Sequence, residues 1–293
     1  MCYSPDNRLL ASGSMDGTVA LWNAATGREV KRIDNQSSCV NSVSFSPDSS
    51  LVATGSVDKM VRLWNVSGYM EKICKILDRH TGCINCARFS SDMKWIVSGF
   101  DYMTIKLWDV AMGTECKTLR GHTKKVMAVT FSFDARVVVS GFEIKTIRVW
   151  DARSGHTVYT LSGHPSGINS VLFCPNGKLL ASGSFDDEVR LWDTRTWESL
   201  GKLDDFEEDL NLDTLTTWRP FEEKKVKELK GHSSAVTRVV FSSDGQWLAS
   251  GSQEGTIKLW LMSAEQQEPT GHASCINDLA FSPDNHLICL SLD

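Results

Sequence analysis

The stretch Gly163–Asp193, GHPSGINSVLFCPNGKLLASGSFDDEVRLWD, decides how the 293-residue chain folds. Within it, Ile168–Phe173, Leu179–Ser182 and Val189–Trp192 are short, apolar-rich segments of the kind that form β-strands. A proline–asparagine–glycine turn at 175–177 follows the first segment, and a polar turn at 184–187 follows the second. The stretch therefore predicts short antiparallel strands joined by tight turns.

The same pattern recurs along almost the whole chain. Close copies occupy Gly121–Asp151 and Gly231–Leu261, and looser copies occupy Asn35–Asn65 and Arg79–Asp109. The tryptophans at 22, 64, 108, 150 and 192 are separated by 42, 44, 42 and 42 residues. A period of about 40–45 residues with four strands per unit indicates an array of small sheets that pack on one another.

The ends of each copy carry a recognisable signature. Gly163-His164 opens the reference copy and Trp192-Asp193 closes it. In this the chain resembles the WD-repeat family, whose repeats form the four-stranded blades of a β-propeller. The resemblance implies an all-β fold with one blade per repeat. The copies are also similar to the WD arrays of large NACHT-type signalling proteins, which implies that the chain is a piece of such a protein; the sequence contains no nucleotide-binding module.

The repeats are predicted to form one domain over 1–293 with seven blade positions and incomplete terminal blades. Trp218 stands 13 residues before Gly231, which predicts a reduced repeat whose last strand lies at 225–229. The alternative is a closed ring of six blades, in which Cys275–Phe281 completes the first blade. The predicted repeat units are 1–34 (partial), 35–78, 79–120, 121–162, 163–203, 204–230 (acidic insert or reduced repeat), 231–270 and 271–293 (partial).

Composition and charge exclude several classes of function. A net charge of −5 argues against general nucleic-acid binding, since neutralising phosphates requires a basic surface. The chain has no run of about 18 apolar residues, so no membrane span is predicted. Nine scattered cysteines and the lack of a signal-peptide pattern at the N-terminus indicate an intracellular protein of the cytoplasm, with the nucleus as the alternative. The sequence gives no indication of oligomeric state.

Two further motifs invite a functional interpretation. Six acids between Asp204 and Asp213 form either a docking site for a basic partner or a solvated loop, and the composition favours the loop. Cys83 and Cys86 form a CxxC, but residues three apart in a strand point to opposite faces and no second pair follows. No metal or cofactor site is therefore predicted.

The full copies also share, with some replacements, a serine, a histidine and an acid at fixed spacing. The family resemblance implies that His164, Ser182, Asp186 and Trp192 form a buried hydrogen-bonded tetrad rather than a catalytic triad, because the set recurs from repeat to repeat. The acid is Asp58 in the second copy, but Tyr102, Ile144 and Glu254 replace it in the third, fourth and sixth. The network is thus expected to be complete only around Trp192.

The family resemblance also implies that a partner binds on the upper rim. The contact residues of each repeat are expected three and five residues after the histidine position and one residue before the acid position. The candidate partner-binding residues are Asn41, Val57, Asn85, Asp101, Lys125, Met127, Glu143, Asn169, Phe185, Thr237, Gln253 and Asn277, and Met15, Cys39, Cys83, Gly167, Ala235 and Cys275 occupy equivalent positions. The repeated asparagines suit either peptide recognition or the satisfaction of local backbone groups.

Two functions from different classes follow. The first is a non-enzymatic scaffold that binds a protein or peptide on the upper rim. The second is an enzyme with a site in the central channel, for which Asp101 and Glu143 are the nearest acids. Since the recurring serine, histidine and acid have a structural explanation, no catalytic residue is predicted and the scaffold is favoured.

Overall fold

A computed structural model describes the chain over residues 1–34, 38–66, 72–78, 80–143, 145–197, 228–229, 231–262 and 274–291. Every helix or strand within these ranges is a β-strand. The acidic stretch 204–213 lies outside the described residues. The chain divides into two compact units, Met1–Thr160 and Leu161–Asp293, which are taken in turn.

The first unit contains four sheets of four antiparallel strands, one sheet per repeat, with the strands in chain order across each sheet. The strands are β1 (Cys2–Tyr3), β2 (Leu9–Gly13), β3 (Val19–Asn23) and β4 (Glu29–Ile33); β5 (Val40–Phe45), β6 (Leu51–Ser56), β7 (Val61–Asn65) and β8 (Lys72–Leu77); β9 (Ile84–Phe89), β10 (Trp95–Phe100), β11 (Thr104–Asp109) and β12 (Glu115–Arg120); β13 (Val126–Phe131), β14 (Val137–Phe142), β15 (Thr146–Asp151) and β16 (Thr157–Ser162).

The second unit contains three sheets, with four, three and two described strands. The strands are β17 (Ile168–Phe173), β18 (Leu179–Ser184), β19 (Val189–Asp193) and β20 (Glu228–Leu229); β21 (Val236–Phe241), β22 (Trp247–Ser252) and β23 (Ile257–Leu261); β24 (Ile276–Phe281) and β25 (Leu287–Ser291). The reference stretch forms β17 to β19, as its alternation predicts.

The predicted fold class, an all-β chain with seven blade positions, is confirmed by the presence of seven separate sheets. The last repeat pairs its own two strands, with Leu279 opposite Cys289. The first sheet has a first strand of its own, β1, in which Cys2 lies opposite Ala11. Strand pairing among the described residues therefore follows the seven-position prediction.

One strand lies in a different sheet from the one that the repeat spacing indicated. Leu229 lies opposite Val189, so β20 is the fourth strand of the sheet that contains Trp192. Sequence spacing assigned 225–229 to a separate reduced repeat. The difference arises because the chain comes back to the edge of the fifth sheet after a segment that does not follow the repeat pattern.

Neighbouring sheets share apolar clusters. In the first unit, Val19 and Leu21 of the first sheet pack with Val43, Val52 and Trp64 of the second. The second and third sheets, and the third and fourth, pack in the same manner. In the second unit, one cluster joins the fifth and sixth sheets and another joins the sixth and seventh. Because Trp64, Trp108, Trp150 and Trp260 each pack against the preceding sheet, these repeats do not bury their apolar surface alone.

A glycine near the end of the second strand lets these sheets approach closely. A Cβ atom on Gly55 would lie 2.6 Å from Cγ2 of Ile84, which begins the first strand of the next sheet. In four other repeats a Cβ atom on the equivalent glycine would lie as close to a side-chain atom of the following sheet: Gly13 to Val40, 2.6 Å; Gly99 to Val126, 2.6 Å; Gly183 to Val236, 2.7 Å; and Gly251 to Ile276, 2.5 Å. The glycine thus provides the space that the next sheet's β-branched side chain fills.

The close packing at Gly55 predicts that Gly55→Ala lowers the free energy of unfolding by about 1–3 kcal/mol, because the added methyl overpacks the interface. Ile84→Ala, by opening a cavity, costs about 2–5 kcal/mol alone. Since the new methyl occupies part of that cavity, the double variant should lose less than the two single variants together. Denaturant unfolding of all four proteins measures this coupling, and strictly additive losses would contradict the packing account.

Candidate functional site

The fifth repeat contains a complete buried network. His164 Nδ1 lies 2.7 Å from Asp186 Oδ2, and His164 Nε2 lies 2.8 Å from Ser182 Oγ. The Trp192 indole N–H donates to the same Ser182 oxygen at 2.9 Å. Burial would raise the pKa of Asp186, but the hydrogen bond and charge of His164 outweigh it and lower this pKa below its usual value. The network links the segment before β17, strand β18, the turn after it and strand β19.

A second complete network surrounds Trp260 in the sixth repeat. His232 Nδ1 lies 3.0 Å from Glu254 Oε1, and its Nε2 lies 2.7 Å from Ser250 Oγ. The Trp260 indole N–H donates to Ser250 at 2.9 Å. The expectation that only the Trp192 network is complete is therefore wrong, because the longer glutamate side chain brings its carboxylate to the same ring nitrogen as the aspartate of the fifth repeat.

The third and fourth repeats close their networks differently. His80 Nε2 and His122 Nε2 each lie 2.6 Å from a serine, Ser98 and Ser140, but both Nδ1 atoms are buried without a hydrogen-bond partner. Aromatic rings pack on these imidazoles: Phe100 lies 4.4 Å from His80 and Phe142 lies 4.2 Å from His122, centroid to centroid. Both phenylalanines stand where the fifth repeat has Ser184.

These surroundings keep the two histidines neutral. Burial, with a smaller effect of Lys106, lowers the pKa of His80 to about 3. Burial, with a smaller effect of Arg148, lowers the pKa of His122 to about 3 as well. Neither imidazole carries a charge near neutral pH, so both act as hydrogen-bonding core groups rather than as proton carriers.

The polar residues five positions after the histidine couple successive sheets. Asn41 Nδ2 donates to the Ile84 carbonyl at 3.0 Å and Asn85 Nδ2 donates to the Val126 carbonyl at 2.9 Å, both within the first unit. In the second unit, Asn169 donates to the Val236 carbonyl at 3.0 Å and Thr237 donates to the Ile276 carbonyl at 2.5 Å. Sequence reasoning considered local backbone partners but missed this coupling. The sequence did contain a signal: an asparagine recurs at this position, and the first strand of the next repeat begins with a β-branched residue.

The other candidate rim residues differ in exposure. Lys125, Glu143, Phe185, Gln253 and Asn277 are exposed, whereas Val57, Asp101 and Met127 are partly buried. In the first unit the structure brings three of the candidates together: Asp101 Oδ1 accepts from Asn85 Nδ2 at 3.0 Å, and its Oδ2 lies 3.5 Å from Lys125 Nζ. Partner contact by these residues stays a prediction.

The residues that the structure describes contain no group of three or more His, Cys, Asp or Glu side chains that could hold a metal ion. No helix among them is long and apolar enough to cross a membrane. Of the CxxC pair, Cys86 is buried and Cys83 is partly buried.

The recurring sheets and their buried Trp–Ser–His networks define a repeat protein of the β-propeller class. The family described as WD domain, G-beta repeat matches residues 1–23, 27–65, 71–109, 113–151, 155–193, 223–260 and 264–293. The chain therefore belongs to the WD-repeat family.

Three curated relatives are similar to parts of the chain. The Schizosaccharomyces pombe protein target of rapamycin complex subunit wat1 is 43% identical over 56 residues, which are 19% of this chain and 18% of that protein. Mus musculus ribosome biogenesis protein BOP1 is 38% identical over 73 residues, 25% of this chain and 10% of that protein. Rattus norvegicus apoptotic protease-activating factor 1 is 38% identical over 72 residues, 21% of this chain and 6% of that protein. Each match covers less than a fifth of the relative's length.

The complete fifth-repeat network predicts that Asp186→Ala lowers the free energy of unfolding by about 1–3 kcal/mol, since it leaves buried His164 Nδ1 without a partner. Tyr102→Ala changes the equivalent position of the third repeat, where no such bond exists, and should cost clearly less. Denaturant melts of both variants test this, and equal losses would show that the acid does not matter.

The low pKa values of His80 and His122 predict a loss of stability on mild acidification. In the unfolded chain a histidine takes up a proton near pH 6.5, but these two do so in the folded state only near pH 3. Between these values the unfolded state binds more protons, so the free energy of unfolding falls as the pH is lowered, by up to about 1.4 kcal/mol per pH unit for each histidine. Stability is fully retained above pH 6.5.

His122→Gln is the matched variant, because the second repeat already carries Gln36 at this position. Denaturant melts between pH 7 and pH 5 should give the variant a shallower pH dependence than the parent protein. Parallel curves would contradict the assignment of this dependence to the buried histidine.

Proposed function

We propose that this chain is a non-enzymatic scaffold that binds a protein or peptide on the upper rim of the propeller, the edge that carries the turns between the second and third strands. The observation that carries the proposal is the display of large apolar side chains on these turns. Met15 is 82% exposed, Tyr102 is 62% exposed and Phe185 is 41% exposed. Turns are ordinarily polar, so such side chains are typical of the apolar anchors of protein interfaces.

Family membership supports the same function. The relative wat1 is named as a subunit of a target of rapamycin complex, which is a multi-protein assembly. The proposal includes an intracellular location, in the cytoplasm or nucleus, in line with the named roles of wat1 and BOP1.

One of the two acids nearest the predicted channel, Asp101, is better explained by structure than by catalysis. Asp101 has both carboxylate oxygens engaged, one by Asn85 and one by Lys125. A carboxylate held in this way positions its neighbours and is poorly suited to exchange protons with a substrate.

Affinity purification with three versions of the chain tests the rim. The rim variant combines Met15→Ser, Lys125→Ser and Phe185→Ser. The control variant combines Met112→Ser and Phe133→Ser, which remove side chains that are 72% and 73% exposed on turns at the opposite ends of the strands. Partners that the parent captures should be lost by the rim variant and retained by the control, as quantified by mass spectrometry, with all melting temperatures unchanged.

Two results would overturn the proposal. A rim variant that retains every partner would remove the rim from the interface. A control variant that loses the same partners would move the interface to the opposite edge.

A further inference from the structure

We propose that Tyr102 and the lysines beside it form the anchoring point for a partner segment that is acidic and carries an apolar side chain. This inference rests on the proposed function and adds the chemistry of the partner. The anchoring site consists of Tyr102, Met103, Lys124, Lys125 and Lys145, on the upper edges of the third and fourth sheets within the first unit.

Tyr102 occupies a position where other repeats hold a structural acid. Asp186 and Glu254 complete buried networks from this position, but Tyr102 does not, and His80 Nδ1 is left buried without a hydrogen-bond partner. An unsatisfied buried group destabilises the fold. The Tyr102 side chain is 62% exposed, so packing returns little of this cost. A residue that breaks a local rule without a stabilising gain is typical of a functional position.

The Tyr102 ring is held in place from one side. A Cβ atom on Gly82 would lie 2.8 Å from Tyr102 Cε2 and 3.3 Å from Asp101 Cβ, so the ring lies directly over the Gly82 backbone. Met103, which is 41% exposed, follows it on the same turn. A supported ring with its remaining surface open to solvent binds an apolar group at low entropic cost, because it is already ordered.

The charges around the ring indicate an acidic partner. Lys124, Lys125 and Lys145 are exposed, and the side chain of Lys125 retains 54% of its exposure although its Nζ lies 3.5 Å from Asp101 Oδ2. The Glu143 N–H donates to the Lys125 carbonyl at 3.2 Å, which joins the turn after β14 to the segment before β13. The loops that carry Tyr102, Lys124 and Lys145 thus hold three lysines against the two acids Asp101 and Glu143, an excess of positive charge on a chain whose net charge is −5. Such an excess attracts carboxylates and repels basic segments.

Selection from a random peptide library displayed on phage, with the whole chain as bait, tests the partner chemistry. Enriched peptides should combine Asp or Glu with Phe, Leu or Trp. Synthetic fluorescent copies of them should bind Tyr102→Ala at least about 10-fold more weakly, the effect expected of an interface anchor. Lys124→Glu should also weaken binding, and added salt should reduce it.

Two variants separate positioning from folding. Gly82→Ala retains the tyrosine but displaces its ring, and should weaken the same peptides. Phe133→Ala removes an exposed aromatic from the opposite edge of the fourth sheet and should leave their affinity unchanged. Melting temperatures of all variants must match the parent, so that lost affinity reports on the anchoring site.

The remaining outcomes have distinct meanings. If the enriched peptides are basic, or bind Tyr102→Ala as tightly as the parent, this inference is wrong. The proposed rim binding still stands in that case if the same peptides bind Phe185→Ala more weakly than the parent. Enriched peptides insensitive to every rim variant count against the proposed function too. The peptide assignment is also wrong if no peptide is enriched, or if a single-stranded oligonucleotide binds in a way that depends on Tyr102. In either case the affinity purification still tests whether the rim binds a partner.

Discussion

A single hydroxyl group in the second strand accepts the tryptophan N–H in each of the first six repeats. Ser182 Oγ accepts the indole N–H of Trp192 and also contacts the imidazole of His164. The same shared oxygen occurs at Ser98, Ser140 and Ser250, and Thr54 takes the tryptophan bond in the second repeat. Because these atoms are buried, no water replaces a lost bond, and the positions of three elements depend on one small side chain. The orientation of the large tryptophan side chain is thereby fixed within its own sheet.

The far side of the histidine is where the repeats differ. A carboxylate closes the network in the fifth and sixth repeats, whereas a phenylalanine ring covers the imidazole in the third and fourth. A carboxylate so used has its turn tied to the interior. Where an aromatic ring packs on the histidine instead, the turn needs no acid for the network and can carry an exposed side chain. Tyr102 is such a side chain. The variation among the third to sixth repeats thus concerns the exposed edge, while the shared serine hydroxyl stays constant.

The periodic features of the chain were predictable from its sequence, and the contacts between neighbouring elements were not. The tryptophan spacing and the alternation of Ile168–Phe173 predicted the sheets correctly, because strand formation depends on local pattern. The pairing of Leu229 with Val189 was missed, since it joins residues separated by a segment with no repeat pattern. Glu254 was taken as a departure from the network because a sequence shows residue type but not the reach of a side chain. The bond from Asn85 to the Val126 carbonyl depends on how two sheets are offset, which no single repeat specifies.

The glycine that ends the second strand has a consequence for how such an array can grow. Ile84 packs on Gly55, Val126 packs on Gly99 and Ile276 packs on Gly251. At each of these junctions the space left by a glycine is filled by one β-branched side chain of the next sheet. The second, third and sixth repeats each carry a β-branched residue at the start, which packs on the preceding glycine, and a glycine that receives the next repeat. A duplicated copy therefore meets complementary surfaces on both sides without any change in its own sequence. Gene duplication can lengthen a chain of this kind by whole repeats, and selection then acts on the turns, which the junctions leave free to diverge.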